Sequence, residues 1–356
     1  MSAETQITRN GQEITGNTSV AVIVFSYNYE IYLRQAIDSL LNQSKPFDQI
    51  LVVDDGSTDG SREIINSYGD KIQAVFKENS GQLGAAVYAL PLVRTRFVYF
   101  LDADDFADPD AATIIREHLA GNPVKVQFQL RCVDNDRPLD SVIPAYPRGY
   151  TTQDMIIDNE VMGFYTSPPT SGNVFSVKTL RSLPLDQLMA NEAFDGSPML
   201  SMPYLGEVRS VTQIIANYRI HGANFSLQHA PSVALYERSL RRHKLRWEEL
   251  RLLAPHAVHP QPGTTVIELE AQCLKQGLSG KRVPFSLSRR YVSRLADSAL
   301  PLRMKILLSL FIASLSVLPA SIGKKIILAR RLPSERNPVF QKALRVVLGV
   351  SDTQRI

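Results

Sequence analysis

The sequence predicts an α/β fold: a mostly parallel, Rossmann-like sheet flanked by helices and followed by a helical C-terminal extension. Three observations lead to this prediction. Strand-like and helix-like patterns alternate between residues 19 and 101, polar residues follow the predicted strands, and a basic helical pattern replaces the alternation beyond residue 235. Strands joined by helical crossovers form mostly parallel sheets that are covered on both faces.

The first hundred residues contain the alternation. Apolar, β-branched runs predict strands at residues 20–25, 49–53, 71–76 and 97–101. Apolar residues at helical spacing predict helices at residues 30–41, 59–68 and 81–90. Crossovers of this length favour parallel strands whose carboxyl ends lie along one edge of the sheet.

The next part of the chain predicts a looser set of elements. They are a helix at residues 109–119, strands at 124–130 and 172–176, one or two strands at 208–218, and a helix at 193–205 that is interrupted or bent near Pro198 and Pro203. Prolines and turn residues predict an irregular segment at residues 137–148.

Polar clusters follow the four strands of the first half. They are Ser26-Tyr27-Asn28, Asp54-Asp55-Gly56-Ser57, Glu78-Asn79-Ser80-Gly81 and Asp102-Ala103-Asp104-Asp105. Ligands of such sheets bind at the carboxyl ends of the strands, and gathered carboxylates suit a hard divalent cation that also binds a substrate's phosphates. Neither Gly-x-Gly-x-x-Gly nor Gly-x-x-x-x-Gly-Lys-Ser/Thr occurs, which disfavours a nicotinamide dehydrogenase and a P-loop enzyme.

Composition predicts a cytoplasmic globular protein. The 356 residues are 44% hydrophobic, enough for a sizeable core. Cys132 and Cys273 have no metal-like spacing and imply no disulfide framework, which fits a reducing compartment. Residues 1–18 are polar, without the basic start and apolar core of a secretory signal.

The charge is distributed unevenly. Residues 236–356 carry 22 Lys and Arg against 8 Asp and Glu, or +14, and residues 1–235 carry 17 against 27, or −10. A basic tail predicts an anionic partner surface, and its apolar stretch at residues 306–318 favours a membrane over nucleic acid. For residues 304–323, a helix on the membrane surface, packing on the domain and an oligomer contact such as a homodimer all stay open.

In this order, the motifs resemble those of family 2 glycosyltransferases with the GT-A fold, enzymes of bacterial polysaccharide and glycolipid assembly. The resemblance covers residues 19–226. It rests on Val24-Phe25-Ser26-Tyr27-Asn28, Val53-Asp54-Asp55-Gly56-Ser57-Thr58-Asp59, Asn79-Ser80-Gly81-Gln82, Leu101-Asp102-Ala103-Asp104-Asp105 and Tyr218-Arg219-Ile220-His221-Gly222.

The resemblance implies a function and a domain plan. The expected reaction transfers a sugar from a nucleoside-diphosphate sugar to a hydroxyl of a glycan or lipid-linked acceptor, with inversion of the anomeric configuration. A UDP-sugar is the expected donor. We expect a flexible segment at residues 1–18, a transferase domain at 19–235 and a basic helical region at 236–356. Within the transferase domain, residues 19–105 would form the nucleotide-binding half and residues 106–235 the acceptor half.

The resemblance also implies site residues. Those expected to contact the nucleotide-sugar are Ser26, Tyr27, Asn28, Asp54, Asp55, Asn79, Gly81, Gln82, Asp102, Ala103, Ser171 and Gly172. Asp104 and His221 are expected to hold Mg²⁺ or Mn²⁺. Asp195 is the expected catalytic base. Glu192 and Asp186 are alternatives, because the family's usual acidic pair is interrupted at Glu192-Ala193-Phe194-Asp195.

Several alternatives stay open at this point. Asp54 and Asp55 could form only a turn and a helix cap, Asp195 could be an N-cap, and His221 could be an ordinary imidazole. The protein could also be a non-catalytic sugar-nucleotide or glycan-binding subunit of a synthase. A sugar nucleotidyltransferase is less favoured, because Ser26-Tyr27-Asn28-Tyr29 stands where a glycine-rich basic loop is expected.

Overall fold

A computed structural model describes residues 16–134, 136–188, 194, 196–221 and 231–331 of the chain. The chain divides into two compact units. The first consists of Met1–Leu130, Pro168–Phe194 and Val211–Tyr218, and the second of Arg131–Ser167, Asp195–Ser210 and Arg219–Ile356. The predicted separation of residues 19–235 from residues 236–356 stays a prediction.

The first half of the chain alternates between strands and helices as predicted. In chain order the elements are β1 (Val20–Ser26), α1 (Glu30–Leu41), β2 (Gln49–Asp55), α2 (Ser61–Asn66), β3 (Gln73–Lys77), α3 (Gly81–Ala89), β4 (Phe97–Asp102), β5 (Phe106–Ala107) and α4 (Ala111–Glu117). β1 is buried along its whole length, as expected for a central strand of apolar, β-branched residues. α1 buries one face, formed by Leu33, Ala36, Ile37 and Leu40.

The middle of the chain contains β6 (Lys125–Asp134), β7 (Arg137–Ile143), α5 (Thr152–Met162), β8 (Asn173–Ser176), α6 (Val177–Arg181), α7 (Ser197–Leu205) and β9 (Val208–Ile220). The prediction of an irregular segment at residues 137–148 is wrong, because β7 occupies its first half. β7 is a largely exposed strand that pairs with β6, and an edge strand needs no apolar alternation and tolerates a proline such as Pro138.

The strands form one mixed sheet in the order β3-β2-β1-β4-β8-β6-β9-β5, with β7 attached to β6. The β3-β2-β1-β4 part is parallel. The pairings of β8 with β4 and β6, and of β5 with β9, are antiparallel. The α/β class with a Rossmann-like parallel half is therefore confirmed, and β5, β6, β8 and β9, which form the antiparallel pairings, all follow that half in the chain.

The C-terminal region is helical, as predicted. It contains α8 (Val233–Leu253), α9 (Val266–Leu278), α10 (Phe285–Ala296), α11 (Leu302–Val317) and α12 (Ala320–Arg331). These helices share an apolar core in the second unit, to which α9 contributes Leu274, α10 Tyr291 and α11 Ile312 and Leu315. In the part of the chain that the structure describes, no helix combines the length and apolar character that crossing a membrane requires.

Candidate active site

The register of three neighbouring strands brings the predicted polar residues together. Ser26, the last residue of β1, is the direct partner of Asp54 on β2, and Phe25 is the partner of Asp102 on β4. All three strands run parallel, so their carboxyl ends meet at one edge of the sheet. This edge is the place where open α/β sheets bind ligands.

Among the described residues, two buried polar atoms at the ends of β1 and β2 have no hydrogen-bond partner. Ser26 and Asp54 are buried, and among the described residues neither Ser26 Oγ nor Asp54 Oδ1 has a hydrogen-bond partner. The other oxygen of Asp54 accepts from the Ser57 backbone N–H at 3.2 Å and from Arg62 Nε at 2.8 Å. Because buried polar groups are normally paired, the two adjacent atoms fit a ligand that supplies the missing hydrogen bonds.

Asp55 instead has its oxygens occupied by the protein. Oδ1 accepts from Lys77 Nζ at 2.5 Å and from the Ser80 backbone N–H at 2.9 Å, and Oδ2 accepts from the Gly81 backbone N–H at 2.7 Å. These bonds fasten the end of β2 to the loop that precedes α3. Gly56 allows the close approach, since a Cβ there would lie 2.8 Å from the Asn79 nitrogen and its φ is +81°.

The loops after β1 and β2 also hold each other in place. The Asn28 backbone N–H donates to Ser57 Oγ at 3.0 Å, and Asn28 Oδ1 accepts from the Thr58 backbone N–H at 2.8 Å. In the same two loops, the Glu30 backbone N–H donates to Asp59 Oδ2 at 3.0 Å. Asn28 therefore acts first as a structural brace, and its left-handed φ of 59° is one that asparagine tolerates well.

The acidic cluster lies at the end of β4. Ligand oxygens of Asp102, Asp104 and Asp105 all lie within 4.8 Å of one another, and Asp104 and Asp105 are buried. Carboxylate oxygens at this spacing fit Mg²⁺ or Mn²⁺, which prefer oxygen donors. The donor chemistry of the cluster therefore matches the predicted metal.

Tyr29 lies next to this cluster and was missed by the sequence analysis. Its phenol hydrogen-bonds the Asp104 side chain, and burial followed by the charges of Asp104, Asp102 and Asp105 raises the pKa of Tyr29 well above its ordinary value. The hydroxyl therefore stays protonated over the physiological range and donates to the carboxylate. Donors of this kind orient a metal-binding side chain.

Gln82 connects the acidic cluster to Phe194. Its Nε2 donates to Asp102 Oδ1 at 2.7 Å, and its Oε1 accepts from the Phe194 backbone N–H at 3.0 Å. The Phe194 ring packs edge-on against Phe100 and Phe175, with centroid distances of 4.6 and 5.3 Å. Gln82 thus holds Phe194, the residue that precedes the predicted base, Asp195, in the sequence.

Ser171 and Gly172 lie in a 3₁₀ turn before β8. The Asp102 backbone N–H donates to Ser171 Oγ at 3.1 Å, and the Tyr99 hydroxyl donates to the Ser171 carbonyl at 2.9 Å. At Gly172 a Cβ would lie 2.5 Å from Pro168, so the turn leaves no room for a side chain. Ser171 therefore supports the end of β4, and Gly172 allows the tight turn that holds Ser171 in place.

The remaining predicted residues differ in their surroundings. Tyr27 is 46% exposed at the end of β1, whereas Ala103 is buried and donates its N–H to the Phe25 carbonyl at 3.2 Å. His221 follows β9 in the second unit and is half-buried. Asp186 is exposed, and Glu192 and Asp195 lie outside the described residues. The functional roles of all these residues stay predictions.

The site also contains charged residues that the sequence analysis did not select. These are Arg62 beside Asp54 and Lys77 beside Asp55. Lys77 ends β3, so a cation at a predicted strand end was a usable signal. Arg62 sits in a helix and carries no such signal, because its contact with Asp54 depends on how α2 packs.

We predict that Asp55→Ala is chiefly a stability mutation. It removes three hydrogen bonds and leaves the Lys77 ammonium without its carboxylate, so it should lower the free energy of unfolding by about 3 kcal/mol. Urea unfolding measures the loss. Asp70→Ala, at an exposed acidic position, is the matched control. Equal losses in the two variants would contradict the structural role of Asp55.

Comparison with known proteins identifies the family. The model of the family "Glycosyl transferase family 2" matches residues 21–181. An uncharacterized glycosyltransferase of Nostoc sp. is 32% identical over 226 residues, covering 61% of this chain and 70% of that protein. TuaG of Bacillus subtilis, a glycosyltransferase named for teichuronic acid biosynthesis, is 35% identical over 154 residues, covering 41% of this chain and 60% of that protein.

A solved structure is similar over most of the chain. Residues 1–349 of TarS from S. aureus, in complex with UDP-GlcNAc, share 17% identity and a TM-score of 0.49 over 88% of this chain and 92% of that chain. Family assignment rests on the sequence matches, and the residues that the family model matches include all four strand-end clusters. The chain belongs to the family 2 glycosyltransferases.

Proposed function

We propose that the protein transfers a sugar from a nucleoside-diphosphate sugar, with UDP-sugars as the first candidates, to a hydroxyl of a glycan or lipid-linked acceptor. The observation that carries the proposal is the carboxylate cluster of Asp102, Asp104 and Asp105 at the end of β4. The neighbouring strands β1 and β2 end in Ser26 and in Asp54-Asp55, and among the described residues Ser26 Oγ and Asp54 Oδ1 have no hydrogen-bond partner. The nucleotide and the metal ion that binds its diphosphate would then lie at the same edge of the sheet.

The donor nucleotide would bind at the ends of β1 and β2. Among the described residues, Ser26 Oγ and Asp54 Oδ1 are buried without a hydrogen-bond partner, and a base and a ribose carry N–H and O–H donors that suit them. Asp102 would bind the ribose. The wider contact set in this proposal is Tyr27, Asn28, Asp55, Asn79, Gly81, Gln82, Ala103, Ser171 and Gly172.

Mg²⁺ or Mn²⁺ would be held by Asp104, with His221 as a further ligand. A divalent cation bound there neutralises the charge that develops on the leaving diphosphate. Tyr29 would orient Asp104 through its hydroxyl, and Asp105 would add negative charge to the cation site. Gln82 in turn holds Asp102, so Asp102 and Asp104 each have a side chain that positions their carboxylate.

Asp195 is the proposed catalytic base. An acceptor hydroxyl has a pKa far above neutrality, and a carboxylate that takes its proton during attack contributes roughly 10²–10⁴ in rate. Attack on the face opposite the leaving diphosphate inverts the anomeric configuration. The assignment is supported by the position of Asp195 in the sequence directly after Phe194, whose backbone N–H donates to Gln82, the residue that also donates to Asp102.

The acceptor would belong to cell-surface polysaccharide or glycolipid synthesis. The name of TuaG, which refers to teichuronic acid biosynthesis, supports this field of function. A position in the cytoplasm, at the inner face of the cell membrane, would give access to lipid-linked acceptors. The alternative function, a non-catalytic sugar-nucleotide-binding subunit, predicts donor binding without any donor hydrolysis or transfer.

We predict metal-dependent nucleotide binding that requires Asp104. Calorimetric titration with UDP, GDP and dTDP, each with and without Mn²⁺, should give tight binding of one nucleotide with metal. Asp104→Asn should abolish the gain from Mn²⁺, and Tyr29→Phe should weaken it by about tenfold, as loss of an orienting hydrogen bond does elsewhere. Asp70→Asn is the exposed control. Equal affinity with and without Mn²⁺ would refute the metal assignment.

A second prediction concerns Asp195. Asp195→Asn should keep the donor affinity of the unmodified protein and lower the rate of sugar transfer by roughly 10²–10⁴, since only proton removal is lost. Donor hydrolysis supplies the readout while the acceptor is unknown. Asp186→Asn serves as control and tests the alternative base. Unchanged turnover in Asp195→Asn removes that residue from the mechanism.

A further inference from the structure

One face of α11 carries a stripe of exposed apolar side chains. Leu302, Ile306, Leu310 and Val317 are 73%, 49%, 63% and 62% exposed. Their spacing of four, four and seven residues places them on the same side of the helix. Exposed apolar residues scattered singly are ordinary, but four in register along one helix form a continuous surface.

The stripe is separate from the face by which α11 packs. Ile312 and Leu315 are buried in the helical core of the second unit, together with Tyr291 and Leu295 of α10. Lys305 Nζ also donates to the Ala296 carbonyl at 2.7 Å, which fastens the start of α11 to the end of α10. The helix is therefore held in the fold by one face while the other faces outward.

α10 extends the apolar surface. Phe285 and Val292 are 71% and 36% exposed, and they line a groove of about 420 Å³ together with Ala313 and Val317 of α11. Arg289 also lines this groove. The two helices thus present one surface, the α10–α11 face, which combines apolar side chains with a cation at its edge.

The segment of the chain that contains this face is strongly basic. Residues 281–331 contain eleven Lys and Arg and a single acid, Asp297, for a formal net charge of +10. Asp297 is itself engaged by Arg294 at 3.4 Å. Lys281, Arg282, Arg289, Arg303, Lys324 and Lys325 are all exposed.

We infer that the α10–α11 face docks flat on an anionic lipid bilayer. The apolar stripe would enter the boundary between headgroups and acyl chains, and the exposed cations would contact lipid phosphates. Charge decides between this occupant and a second copy of the chain. An isologous contact would place +10 against +10, whereas an anionic bilayer is complementary.

Membrane docking would place the proposed glycosyltransferase beside lipid-linked acceptors, and the residues that support docking are separate from the nucleotide site. The proposed membrane contact is smaller than the region predicted from the sequence, residues 236–356. It consists of α10, α11 and the exposed Lys and Arg residues named above. The test is sedimentation of the full chain with vesicles of phosphatidylcholine, with and without phosphatidylglycerol. Binding should require phosphatidylglycerol and weaken as salt screens the charges.

Paired variants separate the apolar stripe from general surface hydrophobicity. Leu310→Gln with Val317→Gln should lower the partition coefficient on phosphatidylglycerol vesicles by about tenfold or more. The control is Ile31→Gln with Val258→Gln, which alters two side chains that are 80% and 76% exposed elsewhere. Thermal melts establish that both double variants are folded.

The cations are tested in the same way. Lys324→Gln with Lys325→Gln should weaken binding to phosphatidylglycerol vesicles, whereas Lys45→Gln with Lys244→Gln, at exposed positions elsewhere, should not. Nucleotide binding measured on all these variants should be unchanged, so failure of this inference is distinguishable from failure of the proposed function.

Three outcomes would overturn the inference. The first is that the folded protein ignores phosphatidylglycerol vesicles at low salt. The second is that stripe and control variants lose binding equally. The third is that light scattering without lipid shows a dimer that Leu310→Gln with Val317→Gln dissociates, which would assign the face to a second copy of the chain.

Discussion

The parallel pairing of β1 with β2 and β4 is the constraint on which the site depends. Backbone hydrogen bonds fix Ser26 beside Asp54 and Phe25 beside Asp102, although these residues are distant in sequence. No side-chain contact is needed to bring these ends together. Local bonds then refine the arrangement, chiefly the carboxylate of Asp55, which fastens the loop before α3.

The acidic cluster indicates which ligand this arrangement suits. Two unit charges 4.8 Å apart repel by roughly 3 kcal/mol at an effective dielectric constant of about 20. A sequence selected only for stability has no reason to keep Asp102, Asp104 and Asp105 so close together. Such local conflicts are typical of functional sites, and a divalent cation would turn the repulsion into binding energy.

Much of this organisation could be predicted because it follows from short-range patterns. The apolar period gave the bounds of α1, and the apolar run at residues 97–101 gave β4 within one residue of its end. Tyr29 was missed because its contact with Asp104 spans seventy-five residues and depends on how α1 packs on the sheet. β7 was missed because an exposed edge strand leaves no apolar signature.

We propose that Asp104 holds a divalent cation that binds the donor's diphosphate. Anomalous diffraction at the manganese edge, on crystals grown with Mn²⁺ and the preferred nucleoside diphosphate, tests it most directly. We expect one strong peak in contact with an Asp104 carboxylate oxygen and with diphosphate oxygens. A nucleotide bound at Ser26 and Asp54 with no manganese at Asp104, or manganese bound only elsewhere, would contradict it.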